Sequence, residues 1–450
     1  MSDQVKPELP GGFRDYLPEE ALARERLVEV VSRVCRNFGF VPLETPGVER
    51  KAVLTRGDEG FKNIFGVTDG RGGEALALRF DLTVPLARVV AQYREELPRP
   101  WRRYQVGNVW RSEKPQAGRY REFRQFDADI VGTDSVVADA EIVALMTAVM
   151  SALGFATGEF CVRLNNRKVL NGLWQFAKFG PDRTVDVLRV LDKLDKVGWD
   201  EAKGELSRSP EDPSPGLGMK PSQIEAIERY VQIGQSSTDP LSELRDLLTG
   251  SREAQTGIDE LLEIEQALGA MNVPREAWKY DMTMARGLGY YTGPIFETVL
   301  TARPELGSVY SGGRYDGLVG QYSEYLVPAT GASLGFDRLC VELRERGLLG
   351  GGKTPTQVMA LNFDPSCRGA LLRLLAELRA VGIASEIYLG REDRLGNQLR
   401  EVVKLDIPVV LVMGGRELER GVVAVRTTAN RQQVDISISE AVERIKALLV

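Results

Sequence analysis

The 450-residue chain contains no histidine. Ser-His and Cys-His nucleophile pairs, imidazole metal ligands and imidazole general bases are therefore excluded, and any chemistry must run on carboxylates, arginines, tyrosines, a metal held by other donors or the substrate itself. Cysteine is scarce: Cys35, Cys161, Cys340 and Cys367 are scattered without a C-x-x-C spacing. Reduced core thiols are expected rather than a disulfide framework or a zinc cluster. No apolar run reaches the roughly 18 residues that a bilayer-crossing helix needs, and no basic stretch followed by an apolar core opens the chain. A soluble, cytoplasmic protein without signal peptide or membrane span is expected. The net charge of −6 excludes a global positive field that would coat nucleic acid indiscriminately.

What is present is enough apolar sequence, 43%, for two or three domains with substantial cores. Charge is uneven. Between Arg94 and Arg124 nine basic residues face four acidic ones, a local excess suited to a directed polyanion contact such as nucleotide phosphates or an RNA end. This patch contains the densest chemistry of the chain. Arg103 to Glu113 alternates as a strand, Lys114 to Arg119 with its Pro and Gly reads as a loop, and Glu122 to Val131 reads as a returning strand. By strand periodicity Arg111 and Glu113 share one face, while Phe123, Gln125, Asp127 and Asp129 share a face of the second strand. A solvated, charged hairpin is the competing reading of this stretch taken alone.

Along the chain, the spacing of Leu27, Val31, Val34 and Phe38 predicts a helix over 19–38, followed by a short strand at Phe40 to Leu43 and Pro46. Leu76 to Phe80 reads as a strand that delivers Asp81 and Thr83 to the start of a helix over Val84 to Tyr93. Residues 167–271 read as helix after helix, with Ser222 and Glu225 as a capping box, Asp239-Pro240 as a helix start and a flexible joint at Ser207 to Pro221. They are expected to form a helical insertion domain. Strands return at Tyr280 to Met284, Tyr291 to Val299 and Ser308 to Tyr310, and Gly331 to Glu345 reads as a strand leading into a helix. After a Gly-rich linker over 346–356, residues 357–450 alternate strand and helix and predict a small mixed sheet covered by helices.

Three further blocks carry chemistry: Ala285-Arg286-Gly287-Leu288-Gly289-Tyr290-Tyr291-Thr292-Gly293, Ser311-Gly312-Gly313-Arg314-Tyr315-Asp316-Gly317-Leu318, read as a polar turn, and Gly331 to Arg338. In this order, and with Arg111 to Asp129, they resemble the histidyl-tRNA synthetase family of class II aminoacyl-tRNA synthetases. The first two of these three blocks, around Arg286 and Arg314, are similar to that family's two signature blocks. Arg111 to Asp129 resembles its motif 2, Gly331 to Arg338 its motif 3 and Phe38 to Pro46 its motif 1. Gly289 departs from the pattern, in which Asp is usual.

The resemblance implies an α+β class II catalytic domain, an antiparallel sheet with helices, over 1–166 and 272–346. It implies a helical insertion over 167–271 and a C-terminal α/β anticodon-binding domain over 357–450. It implies activation of L-histidine by ATP with Mg²⁺, transfer to histidine tRNA, and a homodimer. By resemblance Arg111 and Arg286 are the catalytic cations on the α-phosphate, guanidinium forks suiting carboxylate and phosphate oxygens. Phe123 and Arg338 sandwich adenine, Glu113 accepts from its amine, and Arg119 or Arg121 holds the distal phosphates. For histidine, Asp81, Thr83 and Gln125 take the α-amino group, Asp129 and Tyr291 the two ring nitrogens, and Tyr290 and Tyr315 wall the pocket. The alternative is a non-catalytic synthetase-like regulatory protein of the ATP phosphoribosyltransferase regulatory subunit type. Such a protein is expected to lack the C-terminal unit and part of the ATP-binding set.

Overall fold

The alternating residues of 101–131 form the longest antiparallel pair of an eight-stranded sheet in a computed structural model. The structure describes residues 5–56, 63–68, 70, 73–114, 120–212, 214–285, 290–349, 352–391 and 394–449. The chain divides into two units, residues 27–348 with 1–14, and residues 349–450 with 15–26.

In chain order the first unit contains β1 (Val41–Pro42), β2 (Val48–Arg50), β3 (Gly66–Val67), β4 (Leu76–Leu78), β5 (Trp101–Trp110), β6 (Glu122–Val131), β7 (Phe160–Asn166), β8 (Trp278–Tyr280), β9 (Pro294–Leu300), β10 (Ser308–Arg314) and β11 (Ala329–Leu334). The large sheet runs β1-β5-β6-β11-β10-β9-β7-β8, and β2-β4-β3 form a small sheet. All neighbours in the large sheet are antiparallel except the edge pairs β1 with β5 and β7 with β8.

Helices α1 (Pro18–Asn37), α2 (Lys51–Thr55), α3 (Thr83–Gln92) and α4 (Val137–Ala152) precede the helical stretch. That stretch holds α5 (Arg167–Asn171), α6 (Leu173–Ala177), α7 (Thr184–Leu191), α8 (Leu194–Ser207), α9 (Pro221–Ser236), α10 (Pro240–Leu247) and α11 (Arg252–Ala270). Helix α12 (Phe336–Glu345) follows β11. Helix α4 is apolar nearly all round, and Ile142, Val143, Leu145, Met146, Val149 and Met150 are all buried where it packs across β6, β7, β9, β10 and β11. It makes one covered face of the sheet. The other elements then determine what reaches the opposite face.

The second unit holds β12 (Val358–Ala360), α13 (Arg368–Ala380), β13 (Ser385–Ile387), α14 (Leu395–Lys404), β14 (Val409–Val412), α15 (Gly415–Glu419), β15 (Val422–Thr427), β16 (Gln433–Ser437) and α16 (Ala441–Leu448). Its mixed sheet runs β13-β12-β14-β15-β16, parallel across the first three strands. Leu371, Leu374 and Leu378 of α13 and Ile445 of α16 close a core over Val358, Val409, Leu411 and Val423.

Several elements differ from the sequence expectation for identifiable reasons. β5 stops at Trp110, so Arg111 and Glu113 lie beyond the strand. The ladder is interrupted because the Arg121 N–H is taken by Gly12 O at 2.8 Å instead of by β5. The strand expected at Tyr280 to Met284 ends at Tyr280, because Asp281 Oδ1 accepts from both the N–H and the hydroxyl of Thr283 and turns the chain. The expected capping box of Ser222 and Glu225 is replaced by an earlier start: Pro221 opens α9, and the Gln223 side chain accepts from the Lys220 N–H at 2.9 Å.

Gly312, Gly313 and Arg314, expected in a turn, are strand residues of β10. A Cβ on Gly312 would lie 2.0 Å from Gly331 O, so glycine is required there by close strand approach rather than by a turn. Strands β7 and β16 and helix α4 were not anticipated. Arg119, Arg286 and Gly289 lie outside the described residues, as does most of the Lys114 to Arg119 loop.

Candidate active site

The site grows from strand register. Across β5 and β6, Arg103 opposes Asp129, Gln105 opposes Asp127, Gly107 opposes Gln125 and Val109 opposes Phe123. Across β6 and β11, Gly331 opposes Asp129 and Ser333 opposes Asp127. Directly opposed residues share a face, so one face collects Phe123, Gln125, Asp127, Asp129, Arg103 and Ser333. Only Phe123, Gln125 and Asp129 of these were assigned roles from sequence.

Asp129 is the floor of this face. Arg103, fully buried, brings a guanidinium nitrogen within 2.7 Å of its Oδ2, and the Tyr315 hydroxyl donates to its Oδ1. The Arg103 contact is a close ion pair and not an aligned hydrogen bond, since none of the Arg103 nitrogens has an aligned acceptor. Burial pushes the Asp129 carboxyl upward, and Arg103 and Tyr315 oppose that shift. Gly331 is the clearance for this carboxylate: a Cβ there would stand 2.1 Å from Asp129 Oδ1.

Asp127, buried beside it, is pushed up to about 7, first by burial and further by the negative charges of Asp129 and Asp81, against the pull of Arg103. Gln125 gives its Nε2 to Ser333 Oγ at 2.9 Å.

Arg111 lies just past β5. Its guanidinium covers the Phe123 ring at 4.8 Å from the centroid, and its Nε donates to Phe80 O at 3.2 Å. Arg111 is thereby beside Asp81, whose carboxyl is raised by burial and drawn back by the Val84 N–H and by Arg111. Asp81 Oδ1 accepts that N–H at 3.0 Å in the first turn of α3, where Thr83 is the first residue.

The tyrosines form one cluster. Tyr290 and Tyr291 are 4.3 Å apart by ring centroid, and Tyr290 meets Tyr315 edge-on at 6.1 Å. Tyr315 is buried and Tyr290 is 42% exposed, so the trio runs from the Asp129 floor to the surface. Burial lifts the Tyr291 hydroxyl to about 12, with Asp129 and Asp127 adding in the same direction and the Tyr290 contact opposing it.

Buried latches hold the neighbouring segments. Arg314 pairs with Asp139 of α4, with Nε 3.0 Å from Oδ2, and also donates to the Thr133 and Ser135 carbonyls at 3.1 and 2.9 Å. Before Tyr290, Tyr230 of α9 donates to Met282 O and Asn165 Nδ2 to Met284 O, each at 2.8 Å.

The remaining expected site residues have protein partners of their own. The Arg338 guanidinium is hydrogen-bonded to the carbonyls of Leu306 and Ser308 at 3.3 and 3.2 Å, and it is Arg111 that lies on the Phe123 ring. Glu113 is exposed and accepts from Asn63 at 3.2 Å. Arg121 is tied to Glu113 O and Gly11 O at 3.0 and 3.4 Å. Sequence reasoning missed Arg103, Ser333 and the role of Asp127 beneath the pocket. The hairpin register is the signal that would have found them, since it pairs Arg103 with Asp129 by counting back from the loop.

Known proteins match this chain over nearly its whole length. A family model described as histidyl-tRNA synthetase matches residues 12–339, and one described as an anticodon binding domain matches residues 357–448. A histidine–tRNA ligase of Paracoccus denitrificans is 41% identical over 94% of this chain and 90% of its own length. One of Rhodopirellula baltica is 40% identical over 97% and 96%. Among solved structures, a histidyl-tRNA synthetase from Nostoc sp. PCC 7120 superposes with a TM-score of 0.88 at 32% identity, covering 99% of this chain and 100% of that one. A Bacillus halodurans C protein, described as an ATP phosphoribosyltransferase regulatory subunit/histidyl-tRNA synthetase, gives a TM-score of 0.71 at 25% identity, covering 89% of this chain and 97% of that one. With near-complete coverage by both models and relatives, the chain belongs to the histidyl-tRNA synthetase family.

Proposed function

We propose that the chain activates L-histidine with ATP to histidyl-adenylate and pyrophosphate, then transfers the histidyl group to the 3′ end of histidine tRNA. The observation that carries this reading is the single sheet face on which a buried carboxylate, Asp129, lies under a tyrosine wall and a few strand positions from an arginine stacked on an aromatic ring.

Asp129 and Tyr291 each take one imidazole nitrogen. A carboxylate has about four acceptor positions, so Asp129 holds Arg103 and Tyr315 and still accepts an N–H. A site that satisfies both ring nitrogens rejects apolar isosteres, because a wrong ligand leaves buried polar groups unpaired. Asp81, Thr83 and Gln125 take the α-ammonium group, and Tyr290 and Tyr315 wall the ring.

In the first step negative charge gathers on the α-phosphate, and preorganised cations aimed there stabilise it. Arg111 is the cation of the described site suited to that place, with its Nε held by Phe80 O and its far end toward the carboxylate and phosphate. Arg286 is assigned as its partner by family resemblance. Phe123 and Arg338 flank adenine, Glu113 accepts from its amine, and Arg119 or Arg121 holds the distal phosphates.

ATP arrives as its Mg²⁺ complex. Among the described residues there is no cluster of three acidic or thiol ligands that would hold a metal, and no protein ligand is assigned to the ion. In the transfer step a phosphate oxygen of the adenylate accepts the ribose proton, a role that the family resemblance suggests and that needs no histidine, of which the chain has none. The C-terminal unit binds the anticodon, the motif 1 segment around β1 supports a homodimer, and the enzyme works in the cytoplasm.

The regulatory-protein alternative is disfavoured by the match over residues 357–448 and by the presence of Arg111, Glu113, Phe123, Arg286 and Arg338. Incubating the protein with ATP, labelled histidine and tRNA tests the reading. Acid-precipitable histidyl-tRNA is expected, and histidine binding without any charging would favour the regulatory protein.

A further inference from the structure

Two tyrosines of the candidate pocket are each followed in the chain by one half of a hydrogen-bonded pair: Tyr291 by Thr292 and Tyr315 by Asp316. The Thr292 hydroxyl donates to Asp316 Oδ2 at 2.6 Å and accepts from the Asp316 N–H at 3.2 Å, and the Thr292 N–H donates to Arg314 O at 2.8 Å. These bonds join the two segments beyond Gly313 and Ile295, where the β9–β10 ladder ends. The hydroxyl gives its one proton and also accepts, and the branched Cβ of threonine restricts its rotation. Both side chains lie on the outer side, Thr292 exposed and Asp316 partly so, and removing their contact leaves the core untouched.

The Asp316 end of the clamp is anchored. Arg314 brings Nη1 to 3.6 Å from Asp316 Oδ1 while its Nε holds Asp139 of α4 at 3.0 Å. Tyr315 is fixed as well, its N–H on Ala329 O at 2.7 Å and its hydroxyl on Asp129. At the other end stands Tyr291. Its ring lies close to Gly313, where a Cβ would stand 3.0 Å from Tyr291 Cδ1, and it packs on the cluster that contains Tyr315.

We propose that Thr292 and Asp316 are positioning residues for the imidazole of the amino acid: their reciprocal hydrogen bonds hold Tyr291 at the separation from Asp129 that one ring spans between its two nitrogens. This deepens the histidine-activating reading above and rests on it. Neither residue touches the substrate. A ring with two nitrogens needs two partners at a fixed separation, yet Asp129 belongs to β6 and Tyr291 to the segment before β9, so no single strand sets it. The clamp does, because it ties the Tyr291 segment to the Tyr315 segment, and Tyr315 is bonded to Asp129.

The test is histidine-dependent ATP–pyrophosphate exchange with wild-type protein, Thr292→Val, Thr292→Ser and Asp316→Ala. Thr292→Val keeps the shape and loses the hydroxyl; it is expected to raise KM for histidine about tenfold, the scale of one hydrogen bond to a charged group, while kcat and KM for ATP stay within about twofold. Asp316→Ala is expected to do the same, and the two changes together no more than either alone, since the pair acts as one unit. Thr292→Ser, which keeps the hydroxyl, is expected to restore KM. In a Tyr291→Phe background, where KM is already raised by loss of the contact to the ring nitrogen, Thr292→Val is expected to raise it no further.

An unchanged KM for histidine in Thr292→Val overturns the clamp. So does a rise that persists in the Tyr291→Phe background, which would mark Thr292 as a packing residue only. If Thr292→Val does not fold, Asp316→Ala measured in both backgrounds decides by the same outcomes. Tyr291→Phe with an unchanged KM overturns the assignment of Tyr291 to the ring, and failure of wild type to support any histidine-dependent exchange overturns the functional reading; each takes the clamp with it.

Discussion

Arg103 and Asp129 oppose each other across the β5–β6 ladder, with a guanidinium nitrogen 2.7 Å from a carboxylate oxygen and both side chains buried. The pair lets an acceptor stand at the floor of a pocket without leaving an uncompensated charge in the core. Removing one partner of a buried pair is worse than removing both. Arg103→Met is expected to destabilise the protein by about 3–5 kcal/mol, and Arg103→Met with Asp129→Asn is expected to recover much of that loss. Urea unfolding midpoints check this, and a double variant no more stable than the single one would contradict it.

Asp129 is the acceptor assigned to the imidazole. Asp129→Ala is expected to weaken histidine binding by more than tenfold while ATP binding survives, since the Arg111–Phe123 stack is separate from the Asp129 floor. Calorimetric titration with each ligand separates the two, and equal loss of both would overturn the assignment.

Gly331 gives the Asp129 carboxylate its room. A methyl group there would sit 2.1 Å from Oδ1, against a strand-borne side chain rather than the end of a flexible one. Gly331→Ala is expected to lower kcat/KM for histidine by about a hundredfold, comparable with misplacing a catalytic-site group by an ångström. An alanine variant with unchanged kcat/KM would show that the carboxylate shifts without consequence.

Asp127 titrates in the folded chain at about 7, having been raised by burial. Between the ordinary carboxylate range and that value the folded chain keeps a proton that the unfolded chain has released. The group's contribution therefore favours folding at acid pH and is lost as pH rises from about 4 through about 7. Asp139, raised to about 6 by burial against the pull of Arg314, acts in the same direction. Asp127→Asn is expected to flatten the fall in unfolding free energy between about pH 5 and pH 7 by up to roughly 1.4 kcal/mol per pH unit. An unchanged slope would mean that Asp127 is ionised throughout.

Much of this was legible beforehand because period-two alternation and glycine placement are local signals. The hairpin of residues 101–131, the helix after Asp81 and the strand–helix alternation beyond residue 357 follow from them. What was missed depends on contacts far apart in the chain. Helix α4 shows no amphipathic stripe because it is buried all round, and β7 needs β8 and β9 to define it. The end of β5 at Trp110 depends on Gly12, about a hundred residues earlier, taking the Arg121 N–H. The resemblance placed Phe123 and Arg338 on either side of an adenine, and it could not foretell that the Arg111 guanidinium covers the Phe123 ring while Arg338 satisfies two backbone carbonyls. Arg103 was passed over because a buried arginine reads, in sequence, like one more surface charge.

ATP–pyrophosphate exchange measured in turn with histidine, glycine, proline and threonine tests most directly whether the Asp129 pocket selects its amino acid. The account predicts that exchange requires histidine and that the other three fail to support it. Exchange with none of them, or faster exchange with another amino acid than with histidine, would contradict it.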